Sequence, residues 1–141
     1  MKTALIYISK TGHSSKIAKA ISEELQIQAD DVKTNPKLNN VDLLFIVGGI
    51  YGGQSMSELI TYIKNIDKSM VKKVALITSC VSKKAKQDAV RELLVKNNIE
   101  VLTNEFICQG NFLFIGLGHP NKTDIDNAVS YAKKEVRNQV K

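Results

Sequence analysis

Short apolar segments alternate with amphipathic ones along the whole chain, and this alternation predicts the fold. Apolar runs typical of buried strands lie at 4–8, 43–47, 74–78 and 101–107, with a more polar candidate at 27–32. Between and after them, apolar residues recur every three or four positions, as on one face of a helix. Strands that are apolar throughout and separated by helices form parallel sheets covered on both faces. The pattern therefore predicts a doubly wound α/β fold with a five-stranded parallel sheet.

Four amphipathic segments are predicted to be helices, beginning near Ser14, Met56, Ala85 and Ile125. Ser55 and Glu58 have the spacing of a capping box for the second helix, in which each side chain accepts a hydrogen bond from the other residue's amide. Right-handed crossovers place every strand-to-helix loop at the carboxyl edge of the sheet, where such folds bind ligands. The loops expected to converge there are 9–15, 48–55, 79–84 and 109–120.

Length and composition limit the classes of protein that fit. The 141 residues suit one domain, 1–141, and the contents of 43% hydrophobic and 24% charged residues are ordinary for a globular protein. No apolar run approaches the roughly 20 residues of a membrane span, and the first residues do not resemble a secretory signal. We therefore expect a cytoplasmic protein. Two cysteines and two histidines, without a C-x-x-C unit, predict no metal site.

The chain is basic, with a formal net charge of +6. Its lysines fall in short groups that are typical of solvated helix faces, and only 6% of its residues are aromatic. A nucleic-acid site would need a dense basic stripe with stacking aromatics. The charge therefore predicts a preference for anionic partners rather than for nucleic acid.

The first loop combines four hydroxyls with a glycine at the start of a helix: Ser9, Thr11, Gly12, Ser14 and Ser15. Backbone amides and the helix dipole at such a position attract a phosphate, and small hydroxyls can donate to its oxygens. An ordinary turn with Ser14 as the helix N-cap fits the same residues. This loop alone leaves both interpretations open.

The second loop holds one aromatic residue, Tyr51, among four glycines, at 48–49 and 52–53. Glycines let the backbone approach a flat ligand closely, and Tyr51 offers a face on which the ligand could stack. The alternative is a tight glycine turn with an exposed tyrosine. Because this loop should lie beside the first one, we favour a joint ligand site.

Other sites found on similar sheets lack their residues here. The first loop has no G-x-G-x-x-G, and no G-x-x-x-x-G-K-[ST] occurs in the chain. A phosphoreceiver domain would need acidic residues where Ser9 and Gly48 stand. A cysteine phosphatase would need an arginine six positions after Cys80, where Lys86 stands, so Cys80 is better explained as a small packing thiol.

At these positions the chain resembles the flavodoxin family over nearly its whole length. The family's T/S-x-T-G-x-T/S phosphate motif is matched at 9–14, with the typical alanine at Ala18. The glycine loop around Tyr51 is similar to the family's second flavin loop, and 118–121 resembles the short bacterial branch. The resemblance implies a flavodoxin-like fold with strand order 2-1-3-4-5.

The resemblance also implies non-covalent FMN, with its phosphate on the first loop and its isoalloxazine between the second and third. The implied cofactor-binding residues are Ser9, Lys10, Thr11, Gly12, His13, Ser14, Gly49, Ile50, Tyr51, Gly52, Gly53, Cys80, Val81 and Ser82. The chain departs from the family in three respects, the first being Tyr51 where the second loop often has tryptophan. Its third loop has no aromatic residue, and its isoelectric point near 9.3 contrasts with the acidic carriers.

Three functions are compatible with these residues. The first is an FMN-binding electron carrier whose redox partners have acidic docking surfaces. The second is an FMN-dependent reductase that passes hydride from NADH or NADPH to a quinone or a related acceptor. The third is a flavin-free interaction domain on the same fold. The sequence favours the first.

Overall fold

The structure is a computed structural model that describes residues 1–10, 12–51, 54–80, 87–109 and 121–140. Within these ranges the backbone alone is described at Tyr51, Gln54, Cys80, Cys108 and Gln109.

Seven strands and four α-helices make up the described chain. The strands are β1 (Thr3–Tyr7), β2 (Ala29–Asp31), β3 (Val41–Tyr51), β4 (Gln54–Ser55), β5 (Val71–Cys80), β6 (Glu100–Val101) and β7 (Phe106–Gln109). The helices are α1 (His13–Leu25), α2 (Ser57–Ile63), α3 (Asp88–Lys96) and α4 (Lys122–Gln139), and a 3₁₀ helix spans Val32–Thr34.

The predicted strand order is confirmed. The sheet runs β2-β1-β3-β5-β6, with β7 pairing with the same neighbour, β5, as β6 does. All of these pairings are parallel, so β6 and β7 together form the fifth strand of a 2-1-3-4-5 sheet. Only β4, which pairs antiparallel with the end of β3, departs from this pattern among the described strands.

Two apolar clusters cover the two faces of the sheet. Residues of β3 alternate between them: Leu44 and Ile46 belong to one cluster, Leu43 and Phe45 to the other. Helices α2 and α3 contribute to the first cluster, and α1 and α4 to the second. Since both faces are buried, the strand is apolar at every position from 43 to 47 rather than at alternate positions.

The fifth strand, predicted to run continuously from 101 to 107, is interrupted. Val101 pairs with Val74, whereas Phe106 pairs with Ile77. Two residues of β5 therefore face four residues, 102–105, of the neighbouring chain segment. The extra length takes Glu105 out of the strand pairing, where its side chain makes the polar contacts described below.

The predicted capping box of the second helix is wrong. Ser55 lies in β4, where it pairs with Ile50, and Met56 is the N-cap of α2. A capping box occurs instead at α4, where Asn121 Oδ1 accepts from the amide of Asp124 and Asp124 Oδ2 accepts from the amide of Asn121, each at 2.9 Å. No helix in the described ranges is long and apolar enough to cross a membrane.

Candidate functional site

Three of the predicted ligand loops begin at one edge of the sheet. Tyr7, Val47 and Ile77 form one row of neighbours across β1, β3 and β5. Two residues further along the chain lie Ser9, just beyond β1, and Gly49 and Ser79, which are in register within β3 and β5. The carboxyl ends of the three central strands therefore meet, as their parallel order requires.

The first loop closes around its glycine. The amide of Gly12 donates to Ser9 Oγ at 2.8 Å, and Gly12 has a φ of +90°, in the left-handed region. A Cβ built there would meet nothing within 4 Å, so the backbone conformation and not space demands glycine. Gly12 is also the N-cap of α1, so the interpretation of Ser14 as N-cap is wrong.

Ser14 lies in the first turn of α1 and is fully buried. Its Oγ has no hydrogen-bond partner among the residues that the structure describes. An unsatisfied buried hydroxyl costs about 1–3 kcal/mol, so such a group is unusual in a helix unless a ligand completes it. Its place in the first turn of α1, where backbone amides have no acceptor within the helix, fits a phosphate oxygen.

The remaining first-loop residues differ in exposure. Lys10 and Gly12 are exposed, Ser9 and His13 are partly buried, and Thr11 lies outside the described residues. Partial burial, reinforced by the neighbouring charge of Lys16, lowers the pKa of His13 below its ordinary value of 6.5. His13 at the start of α1 is therefore largely neutral at pH 7.

The second loop starts from a buried strand end and turns back. Gly49 and Ile50 are buried in β3, and the backbone of Tyr51 pairs with Gln54. Only two residues, Gly52 and Gly53, join these partners; both lie outside the described residues. Gly-Gly is one of the dipeptides favoured in two-residue hairpin loops, and this signal could have predicted β4 from the sequence.

The third loop leaves β5 at Cys80, whose backbone pairs with Gln109 of β7. Val81 and Ser82 lie outside the described residues, as do the lysines that follow them. Within the described parts of the chain, no group of three or more histidine, cysteine or acidic residues is placed to hold a metal ion.

Sequence reasoning missed a polar residue behind these loops, the fully buried Gln87 that precedes α3. Its Nε2 donates to the carbonyl oxygen of Ile77 and to Thr78 Oγ1, both at 3.1 Å. A Cβ on Gly48 would lie 3.1 Å from Gln87 Oε1, so glycine at 48 leaves room for this side chain. The long sequence separation of these partners explains why periodicity did not reveal them.

Comparison with known proteins identifies the family and the fold. A sequence profile described as flavodoxin domain matches residues 4–137. No curated protein matches the chain significantly. Among solved structures, oxidised flavodoxin 2 from Bacillus cereus is similar with a TM-score of 0.70 at 15% identity, covering 98% of this chain and 99% of that one.

Two further structures share the fold over almost the full length of both chains. A short-chain flavodoxin associated with a non-canonical PDU bacterial microcompartment has a TM-score of 0.66 at 15% identity, covering 98% of this chain and 99% of that one. An NAD(P)H:quinone oxidoreductase from Methanothermobacter marburgensis has a TM-score of 0.63 at 10% identity, covering 98% of each chain. Flavodoxins and an NAD(P)H:quinone oxidoreductase thus share this architecture with the chain.

Proposed function

Because this chain belongs to the flavodoxin family, we propose that it binds FMN non-covalently and carries electrons between redox partner proteins in the cytoplasm. Bound FMN would supply the redox chemistry, while the protein sets its orientation and surroundings.

The observation that carries this proposal is the buried hydroxyl of Ser14 at the amino end of α1, for which the described residues offer no hydrogen-bond partner. Evolution rarely keeps a buried donor unsatisfied, since an alanine would remove the cost. A phosphate monoester that accepts from Ser14 would satisfy this hydroxyl, and the charge of the phosphate would strengthen the hydrogen bond. Riboflavin, which lacks the phosphate, would not offer this acceptor.

The other first-loop groups complete such a cradle. Ser9 Oγ accepts from Gly12, so its own proton remains available to a phosphate. The hydroxyl of Thr11 and the amides at the start of α1 are the further donors in the proposal. Gly49, Ile50, Gly52 and Gly53, together with Tyr51, would line one side of the isoalloxazine, and Cys80, Val81 and Ser82 the other.

The partners proposed here are redox proteins with acidic docking surfaces. The net charge of +6 favours their approach, and association should weaken as ionic strength rises.

Purified protein tests the proposal and separates the alternatives. We expect a yellow protein, or an apoprotein that takes up FMN with a perturbed flavin absorption spectrum. Rapid oxidation of NADH or NADPH with a quinone and without a partner protein would instead indicate the reductase. A colourless protein whose presence leaves the spectrum of added FMN unchanged would indicate a flavin-free interaction domain.

Tyr51 is expected to stack on the isoalloxazine, as its position in the glycine loop predicts. Tyr51→Ala should weaken FMN binding by roughly 1–2 kcal/mol, the scale of a lost aromatic contact. Tyr51→Phe keeps the ring and serves as the control, with little expected loss. Fluorescence titration measures both; an alanine variant with the parent's affinity and flavin spectrum would show that Tyr51 does not stack.

The pKa of His13 is expected to change when a phosphate binds beside it. In the free protein its pKa lies below 6.5, and a phosphate bound beside it would favour the charged imidazolium. We expect FMN to raise the pKa of His13 in an NMR titration, whereas riboflavin, which lacks the phosphate, leaves it unchanged. His13→Gln assigns the resonance. An unchanged pKa with saturating FMN would place the phosphate elsewhere.

A further inference from the structure

Both ends of the connection between β5 and α3 bond to a single carboxylate, that of Glu105. Its Oε2 accepts from Thr78 Oγ1 at 3.0 Å and from the amide of Gln87 at 3.1 Å. Thr78 lies two residues before the end of β5, and Gln87 immediately precedes α3. One side chain from the edge strand therefore joins the two elements that flank residues 81–86.

The contact between Thr78 and Gln87 closes this network. Gln87 Nε2 donates to Thr78 Oγ1, which in turn donates to Glu105. Thr78 and Gln87 are fully buried, and the side chain of Glu105 is only 3% exposed. Hydrogen bonds in so dry an environment are strong and fix side-chain positions, so the three groups act as a unit.

Arg91 balances the buried charge from the next turn of α3. Its Nη2 lies 3.2 Å from Glu105 Oε1, and its Nη1 donates to the carbonyl oxygen of Leu102 at 3.2 Å. The second contact satisfies a backbone group where the fifth strand is interrupted. The interruption of the fifth strand therefore places Glu105 beside these partners, which an unbroken strand would not do.

The network also reaches the start of the second loop. Gln87 Oε1 lies against Gly48, and β3 and β5 remain paired through Gly49 and Ser79. We propose that Glu105 is a positioning residue for the cofactor site: through Thr78 and Gln87 it fixes the sheet edge from which the second and third loops depart. The inference rests on the proposed function for the identity of the cofactor. That Glu105 holds Thr78 and Gln87 in place is a statement about the protein without ligand.

Two variants disrupt the network and two serve as controls. Thr78→Val removes the hydroxyl with little change of shape, and Glu105→Gln keeps the outline of the side chain while removing its charge. Thr78→Ser keeps the hydroxyl and should therefore keep the parent's exchange rates and FMN affinity. Glu100→Gln removes a carboxylate from the same edge strand, where it faces Lys73 at 3.8 Å and is 62% exposed.

The measurements are hydrogen exchange in the apoprotein at the amides of Gln87 and of Arg91, which donates to the carbonyl oxygen of Gln87 at 2.9 Å, together with FMN affinity and the visible circular dichroism of bound flavin. Thr78→Val and Glu105→Gln should speed exchange about tenfold, the loss expected for a hydrogen bond to a charged group. They should also weaken FMN binding several-fold and alter the dichroism. Thr78→Ser and Glu100→Gln should match the parent.

The outcomes separate this inference from the proposed function. If Thr78→Val and Glu105→Gln lower thermal stability but bind FMN with the parent's affinity and spectrum, Glu105 is merely structural and the inference fails while the function stands. Unchanged exchange at Gln87 would also overturn it. If the parent itself binds no FMN, the proposed function fails, and the positioning role for a flavin site fails with it. Glu105→Gln provides the test should Thr78→Val not fold.

Discussion

Ser14→Ala is expected to weaken FMN binding about 10- to 100-fold while making the apoprotein more stable. The affinity falls because the variant removes a donor to a charged phosphate, a contact of roughly 1.5–3 kcal/mol. The stability rises by about 1 kcal/mol because the buried hydroxyl has no partner among the described residues and alanine is the better helix former. Fluorescence titration and urea denaturation measure the two effects.

Ser22→Ala is the matched control, since it makes the same change two turns further along α1. Ser22 Oγ donates to the carbonyl oxygen of Ile27, so alanine there removes a satisfied hydrogen bond. We expect no gain in stability and no change in FMN affinity. A Ser14→Ala protein that is less stable than the parent and binds FMN equally well would mean that this hydroxyl serves the fold.

Arg91→Met should destabilise the protein by about 3 kcal/mol. The substitution leaves the carboxylate of Glu105 buried without its cation. Removing one partner of a buried ion pair destabilises a protein far more than replacing both partners with apolar residues. The value lies at the lower end of the usual range because Arg91 is 30% exposed. Urea denaturation with a shared slope gives the difference.

Two further variants test this explanation. Lys133→Met breaks the pair with Glu24 at 2.9 Å, whose members are 45% and 49% exposed, and should cost less than about 1 kcal/mol. The double variant Arg91→Met, Glu105→Gln removes both charges and should recover part of the loss. Equal losses for Arg91→Met and Lys133→Met would contradict the account of a buried pair.

The sequence predicts most of the sheet because burial on both faces leaves a local signal. Leu43 to Val47 is apolar at every position, and the structure places it at the centre of the sheet. The ends of the strands were harder to predict. Lys72 and Lys73 extend β5 beyond its apolar part, with Asp42 and Glu100 as ion-pair partners from neighbouring strands. Such pairs depend on register and are not visible in a single segment.

The parts of the candidate site whose residues are adjacent in the sequence could be predicted. The parts that depend on contacts between distant residues could not. The hydroxyls and glycine of 9–14 stand together in the sequence, and the structure places Gly12 and Ser14 at the start of α1, with Ser9 bonded to the amide of Gly12. Burial of Ser14 could not be inferred, because it depends on packing. The network of Thr78, Gln87 and Glu105 joins residues up to 27 positions apart, so periodicity could not reveal it.

The most direct test of the central claim is an equilibrium titration of the apoprotein with FMN and with riboflavin, followed by flavin fluorescence. The two ligands differ only in the phosphate that we propose the first loop binds. Because the phosphate would accept at least two charge-assisted hydrogen bonds, we predict that FMN binds at least about 100-fold more tightly than riboflavin. Equal affinities for FMN and riboflavin would contradict the account.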